Sequence, residues 1–333
     1  MILLFGLPGD APLAKVHAEL IRQEEPAFLI DQRNVLETEV DVTFGSEIEG
    51  SLRLGQQVVD LSSVSAVYFR SYGLDQLPAL KDADRSGPQW RHALNVTEII
   101  SVWTELSPAL VVNRLSAMAS NGSKPYQARL IQKHGFETPE TLITTDPDAV
   151  RDFWLRHSTI IYKSISGVRS IISRLTAEHL DRLARIQWCP TQFQQYIPGN
   201  DYRVHVVGEE TFAAEIVSQA DDYRYASRKG LEVKLGTWEI PPELAERCVL
   251  LAKALGLHFA GIDLRYHPAG KWFCFEVNPS PAFSYYQDET GQPIDAAVVR
   301  LLISGKMQKA DPPRQRNCEV DEASDAITCG VSS

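Results

Sequence analysis

Residues 261–281, GIDLRYHPAGKWFCFEVNPSP, set two strand-like runs on either side of a turn signal, His267-Pro268-Ala269-Gly270, the pattern of a hairpin. Successive side chains of a strand point to opposite faces. Alternation therefore predicts Ile262, Leu264 and Tyr266 on one face of the first strand, with Asp263 and Arg265 on the other. On the return strand it predicts Phe273, Phe275 and Val277 opposite Cys274, Glu276 and Asn278. A glutamate among aromatic residues needs a neutralising partner, because carboxylates are seldom buried unpaired. Asp263, Glu276 and Asn278 fall on one polar face, the last two roughly 7 Å apart at Cα. Two carboxylates and an amide oxygen form a hard-oxygen set suited to Mg²⁺, which prefers a few carboxylates plus phosphate oxygens. The alternative is a surface hairpin with solvated acids.

The 333 residues allow two or three units with cores of their own. Residues 1–112 alternate strand and helix: MILLFG, then APLAKVHAELIRQ, short strands near AFLID and SAVYFR, and a long helix in QWRHALNVTEIISVWTEL. This order predicts a small open α/β domain. The apolar start is short, lacks a basic leader and is broken by Pro8, Gly9 and Asp10, so it reads as a buried strand rather than a signal peptide. GLPGDAP lacks the Gly-Lys-Ser/Thr ending of a phosphate loop and reads as a tight strand-to-helix turn.

A second unit covers 113–303. Helices are expected in KPYQARLIQKHG, PDAVRDFWLRH and PPELAERCVLLAKALG, and strands in TIIYK, TQFQQYI, YRVHVVG and TFAAEIVS. The expected division is a central subdomain at 113–190 and a C-terminal α+β subdomain at 191–303. Residues 304–333 lose periodicity and read as a disordered tail.

A net charge of −10 disfavours nucleic acid as a partner. No run approaches the ~20 apolar residues of a membrane span. Five scattered cysteines without a CxxC pair read as reduced thiols of a cytoplasmic protein. The dispersed histidines form no set with a nucleophile, and His205 and His258 read as core or surface residues.

Two lysines are placed to meet anions. Lys163 ends TIIYK before the small-residue loop SISGVRS, and Lys124 opens a helix after SNGS. Arg70, in VYFRSYG, is a candidate for a substrate carboxylate, with a structural ion pair as the alternative. Arg228, beside Lys229 and Tyr223-Arg224-Tyr225, belongs to a basic aromatic loop that could receive an acidic peptide or simply be solvated. Trp238 and Tyr285-Tyr286 are candidates for an acceptor pocket or for the core.

In order, VVNRLSAMASNGSKPYQARLIQKHGFETPETLIT, IIYKSIS, FQQYIPGNDYRVHVVG and GIDLRYHPAGKWFCFEVNPSP resemble the ATP-grasp superfamily over about residues 111–303. The resemblance is to its ribosomal-protein-S6 glutamate-ligase-like branch and to the maturases of microviridin-type graspetides. AVYFRSYG is similar to the Arg-bearing strand of the maturases' N-terminal domain. The resemblance implies an N-terminal α/β domain, a central lid-like subdomain and a C-terminal α+β subdomain, with ATP between the last two. It implies that Lys124 and Lys163 bind phosphates, that Gln194, Gln195, Tyr196 and Ile197 hold adenine, and that Asp201 lies near the nucleotide. Arg203 would face the reacting phosphoryl group, with Arg265 as a further catalytic arginine. Asp263, Glu276 and Asn278 would bind Mg²⁺, two ions in all, with Mn²⁺ able to substitute.

The chemistry so implied is ligation: a carboxylate takes the γ-phosphoryl of ATP, and an amine or hydroxyl then displaces phosphate from the acylphosphate. The substrate would be a peptide, a protein or an amino acid, or another small carboxylate, and a homodimer is compatible. Two departures stand out. Pro281-Ala282-Phe283 follows where the maturases usually have Gly-Gln, and Gln195 stands where many relatives have Glu. The rival readings are a small-metabolite ligase, a phosphotransferase that leaves phosphate on its acceptor, and a non-catalytic nucleotide-binding module.

Overall fold

The computed structural model describes residues 1–164, 172–189, 191–218 and 232–310, with 164 and 306–310 described by backbone alone. The chain opens with β1 (Ile2–Gly6), α1 (Ala11–Arg22) and β2 (Ala27–Asp31). An antiparallel meander follows, formed by β3 (Thr38–Phe44), β4 (Ile48–Leu54) and β5 (Gln57–Asp60). The unit closes with β6 (Ala66–Phe69), α2 (Pro88–Leu106) and β7 (Leu110–Val112). Strands β1, β2, β6 and β7 pair in parallel in the order β2-β1-β6-β7. β1 and β6 are buried throughout, as parallel strands covered on both faces must be. GLPGDAP is the tight turn that its composition predicts: Asp10 caps α1 by accepting from the Leu13 amide. The meander was not among the expected strands, although Val40, Val42 and Phe44 of β3 and Ile48, Leu52 and Leu54 of β4 alternate with polar residues as in half-buried strands.

Next come α3 (Leu115–Met118), α4 (Lys124–Lys133), β8 (Thr141–Thr144), α5 (Pro147–His157), β9 (Ile160–Ser164), β10 (Ser173–Arg174), α6 (Ala177–Leu180) and β11 (Thr191–Gln195). Their strands form an antiparallel sheet in the order β10-β9-β11-β8. Val150, Phe153, Ile160, Leu183 and Phe193 give it a core of its own. The expected boundary at 190/191 falls one strand too early, because β11 pairs with β8 and β9 and so completes this central sheet. α4 belongs elsewhere: its Ile131 packs into the core of the C-terminal sheet.

That sheet follows as β12 (Asn200–Val207), β13 (Glu210–Ser218), β14 (Val233–Thr237), α7 (Pro242–Ala254), β15 (Phe259–His267) and β16 (Lys271–Asn278). Its order is β14-β13-β12-β15-β16, all antiparallel. α4 and α7 cover one face, over Tyr202, Val204, Val206, Ile262, Leu264 and Val277. α8 (Ser284–Thr290) and α9 (Ile294–Ala310) end the described chain. α9 packs with Ile2, Leu4 and Tyr68 of the N-terminal sheet and with Val207 and Phe259 of the C-terminal one, so the two share a core. The helix runs past residue 304, where apolar periodicity fades, and the rest of the expected tail, 311–333, lies outside the described residues.

The hairpin departs from strict alternation. Gly261, Ile262 and Asp263 stand opposite Asn278, Val277 and Glu276, but Leu264 stands opposite Cys274. Phe275 is the extra residue of a β-bulge. Cys274 is therefore buried beside Leu264 in the core, while Phe273 and Phe275 turn to the polar face. The expected sets, Phe273 and Phe275 with Val277 and Cys274 with Glu276, are corrected accordingly: one inserted residue inverts every assignment beyond it.

Candidate active site

The face of the C-terminal sheet opposite α4 and α7 carries ionised residues on three adjacent strands. Arg203 stands across from Asp263, Asp201 across from Arg265, and Asp263 across from Glu276. Arg203 Nη1 donates to Asp263 Oδ1 at 2.6 Å. Lys124 Nζ, at the start of α4, donates to Glu276 Oε1 and, at 2.7 Å, to Asn121 Oδ1. The Asn278 side-chain oxygen accepts from the Ser280 amide at 2.9 Å. The structure thus brings Asp263, Glu276 and Asn278 together and sets a cation against each carboxylate, which is not a solvated surface hairpin.

The donor set fits a magnesium ion. Among the described residues, no three His, Cys, Asp or Glu side chains gather into a metal-binding group. Two carboxylates and an amide supply part of a shell, as suits an ion that takes its other oxygens from phosphates and water.

Arg203 is confined on all sides and only 5% exposed. Its Nε donates to His205 Nε2 at 3.4 Å, and the Tyr286 ring lies 5.7 Å from the guanidinium carbon. Gly261 leaves the space that the guanidinium fills, since a Cβ there would sit 2.0 Å from Nη2. Burial, assisted by the Arg203 charge, holds the His205 imidazole well below its usual range, so it is the neutral acceptor that Arg203 requires. Burial also lowers His258.

Arg265 is engaged away from Asp263. Its Nε and Nη2 donate to the two Asp201 oxygens at 2.6 and 2.8 Å, and its Nη1 donates to the Ile197 carbonyl at 2.7 Å. This geometry fastens the hairpin to the segment after β11. Asp201, expected beside a nucleotide, is the carboxylate of that fastening.

In the 194–197 segment, the Gln194 amide donates to Thr141 Oγ1 at 3.0 Å. The Gln195 N–H donates to Glu140 and the Tyr196 N–H to Thr159. Among the described residues, no backbone hydrogen bond takes the Tyr196 carbonyl or the Ile197 N–H. The Tyr196 ring lies 4.3 Å from the Arg174 guanidinium carbon. Lys163 lies on β9 opposite Gln192; Ile160 and Tyr162 of that strand join the small core, which leaves Lys163 on the other face. The loop that follows it, and Arg228 with its basic aromatic neighbours, lie outside the described residues.

Arg70 reaches the end of the hairpin, but its charge is already matched. It is 9% exposed, bonded to Asp10, and donates from Nη1 to Ser280 Oγ at 3.0 Å. Nearby, burial pushes the Tyr68 phenol up to about 12. Tyr286 is beneath Arg203, whereas Trp238 packs on Tyr202 and Trp272 on the helix-covered side, away from any acceptor pocket at this face.

Two residues that motif reading passed over hold the hairpin end. Asn113 donates from Nδ2 to the carbonyls of Phe259 and Pro279, both at 2.6 Å, and accepts from the His258 amide. Gln127 donates to the Val277 carbonyl at 2.8 Å and accepts from the Val277 amide at 3.0 Å. The available signal was position: Gln127 lies one turn before Ile131 on the buried stripe of α4, where a polar residue needs a reason.

The chain and its fold are similar to known proteins. The chain is 27% identical over 221 residues to a probable α-L-glutamate ligase of Pseudoalteromonas translucida (strain TAC 125), covering 63% of this chain and 72% of that protein. Its fold is similar to the macrocyclase MdnC of Microcystis aeruginosa MRC, solved with precursor peptide MdnA, at TM-score 0.75 and 25% identity over 91% of this chain and all of that one. It is also similar to the ATP-grasp ligase PsnB, solved with minimal precursor, Mg and ADP, at TM-score 0.73 and 28% identity over 91% and 96% of the two chains. A sequence model of the RimK-like ATP-grasp domain matches residues 121–302, from just before Lys124 to beyond Asn278. With more than half of its length so matched and the whole described architecture shared, this chain belongs to the RimK-like ATP-grasp family and is an ATP-grasp ligase.

Proposed function

We propose that this ligase activates a carboxylate of a peptide with ATP and joins it to an amine or hydroxyl of the same or another peptide. One observation carries the reading: Arg203, Lys124, Asp263, Glu276 and Asn278 converge on one sheet face, beside the 194–197 segment that Arg265 ties to the hairpin.

In this reading, Lys124 and Lys163 bind phosphate oxygens, and the Asp201–Arg265 pair keeps the adenine segment in register with the hairpin. Mg²⁺, as two ions that Mn²⁺ can replace, would be held by Asp263, Glu276 and Asn278 and would neutralise charge on the transferring phosphoryl group. A substrate carboxylate oxygen bonds to the γ-phosphorus as the bond to ADP breaks. The nucleophile then bonds to the acyl carbon, loses its proton, and inorganic phosphate departs. Arg203 faces the phosphoryl group in both steps, its guanidinium held by Asp263, His205 and Tyr286 so that little reorganisation is needed. Arg70 and Arg228 remain candidates for the substrate side. The peptide is favoured because MdnC and PsnB were solved with precursors. The similarity to a glutamate ligase favours an amino acid as the second reading.

Mass spectrometry of acidic, Thr- and Lys-containing peptides incubated with ATP and Mg²⁺ tests this. One water equivalent is expected to be lost per bond, with ADP and phosphate released, and folded Lys163→Ala is expected to be inert. Phosphate retained on the acceptor, or wild-type turnover by Lys163→Ala, contradicts the reading.

A further inference from the structure

We infer that Gln127 is a positioning residue of the cation site: its carboxamide sets the orientation of the two peptide units that join Val277 to Glu276 and to Asn278, and thereby of both side chains. The inference rests on the proposed reading of those two residues as ligands.

β16 is the last strand of its sheet, so its outer rim would present unpaired backbone groups. The segment after α4 covers the first part of that rim. The Glu137 amide donates to the Trp272 carbonyl at 3.1 Å, and the Cys274 amide donates to the Glu137 carbonyl at 2.9 Å. Beyond Cys274 the bulge interrupts the ladder to β15, immediately before Glu276. The strand end is thus loosened on its inner side where the ligands begin. Gln127 takes over the outer side at Val277, with one donated and one accepted bond from a planar amide that is 1% exposed.

The two bonds hold the N–H of the Glu276–Val277 peptide unit and the carbonyl of the Val277–Asn278 unit, and so fix the rotation of both. Glu276 and Asn278 are the outer residues of those two units, so their rotation sets where both side chains aim. Gln127 also lies one turn beyond Lys124 on α4, so the same helix delivers the ammonium group to Glu276 and the amide to Val277. A residue that merely filled the rim would affect stability alone. A positioning residue must affect ion affinity beyond its effect on stability.

Titrating Mn²⁺ into the full-length protein with a non-hydrolysable ATP analogue, with free ion read by electron paramagnetic resonance, separates the two. Gln127→Met keeps length and apolar volume but removes both bonds, and is expected to weaken Mn²⁺ binding roughly ten- to hundred-fold. Ile131→Ala, on the same buried stripe of α4, is the control: it lowers the melting temperature and leaves Mn²⁺ affinity unchanged. If Gln127→Met does not fold by circular dichroism, Gln127→Glu takes its place. It keeps the shape but sets a carboxylate oxygen against the Val277 carbonyl, and is expected to weaken binding likewise. Wild-type affinity in the folded Gln127 variant, or equal weakening by Ile131→Ala, overturns the inference. Glu276→Ala distinguishes the levels. Wild-type Mn²⁺ binding there brings down the site reading and this inference together, whereas lost binding there with intact binding in the Gln127 variant brings down this inference only.

Discussion

Replacing Gly261 with alanine would put a methyl group into the space occupied by the Arg203 guanidinium. The new Cβ would lie 2.0 Å from Nη2, 2.5 Å from Cζ and 2.8 Å from the Pro281 Cβ, whereas ordinary contact begins at 3.4 Å. The backbone at 261 has no positive φ, so the collision is with the side chain rather than with the alanine's own backbone. The guanidinium must retreat by about 1.4 Å, the difference between 3.4 and 2.0 Å. His205 and Tyr286 limit the retreat, which stretches or breaks the 2.6 Å bond to Asp263. Overpacking of this kind costs about 1–3 kcal/mol of stability. Displacing a catalytic group by an ångström costs roughly a hundredfold in rate, or about 2.7 kcal/mol of barrier. Gly261→Ala should therefore lose kcat for ADP formation on the peptide substrate by about a hundredfold, with a moderate fall in melting temperature. In an Arg203→Ala background the same alanine should cost less stability, because only the Pro281 Cβ, 2.8 Å away, remains for it to strike. Wild-type kcat in Gly261→Ala, or an undiminished stability cost in the double variant, would refute the packing of Arg203 over Gly261.

Glu276→Ala should remove Mg²⁺-dependent turnover, and a plot of rate against Mg²⁺ matching wild type would contradict its assignment. Arg265→Ala leaves Asp201 and the Ile197 carbonyl without their donor and should cost about 2–3 kcal/mol of stability. It should raise KM for ATP more than it lowers kcat, and an unchanged KM argues against its fastening of the adenine segment. The native His205 pKa lies below that of the unfolded chain, so the unfolded state takes up the proton first. That stabilisation is complete above about pH 6.5 and is lost as pH falls toward the native value, at up to about 1.4 kcal/mol per pH unit. His258 adds in the same direction. Denaturant midpoints of His205→Gln should therefore fall less steeply between pH 6.5 and 5 than wild type, and identical slopes would refute the effect.

Asp263, Glu276 and Lys124 were legible because each sits in a strong local pattern, whereas Arg203 was reached only through the family resemblance. Asp263, Glu276 and Asn278 share a face through the period of two, and that part of the hairpin, from Gly261 to Asp263 against Glu276 to Asn278, keeps regular register. Lys124 was visible at the first turn of a helix that begins where composition places it. Alternation misled only beyond Asp263, where Phe275 bulges and Cys274 turns inward. β11 read as part of the C-terminal unit because nothing along the chain reveals that its hydrogen bonds run to β8 and β9.

Neighbours along the chain were enough to place Asp263, Glu276 and Asn278 on one face of a hairpin, Lys163 on a strand and Lys124 at a helix start, and to give most of the order of helices and strands, since periodicity and capping are short-range properties. The partners of those groups came from folding. Lys124 meets Glu276 across 152 positions, Gln127 meets Val277 across 150, and Asn113 meets Pro279 across 166. A neutral amide carries no pattern of its own, and its part is set by whichever backbone groups the packed core brings within hydrogen-bond reach.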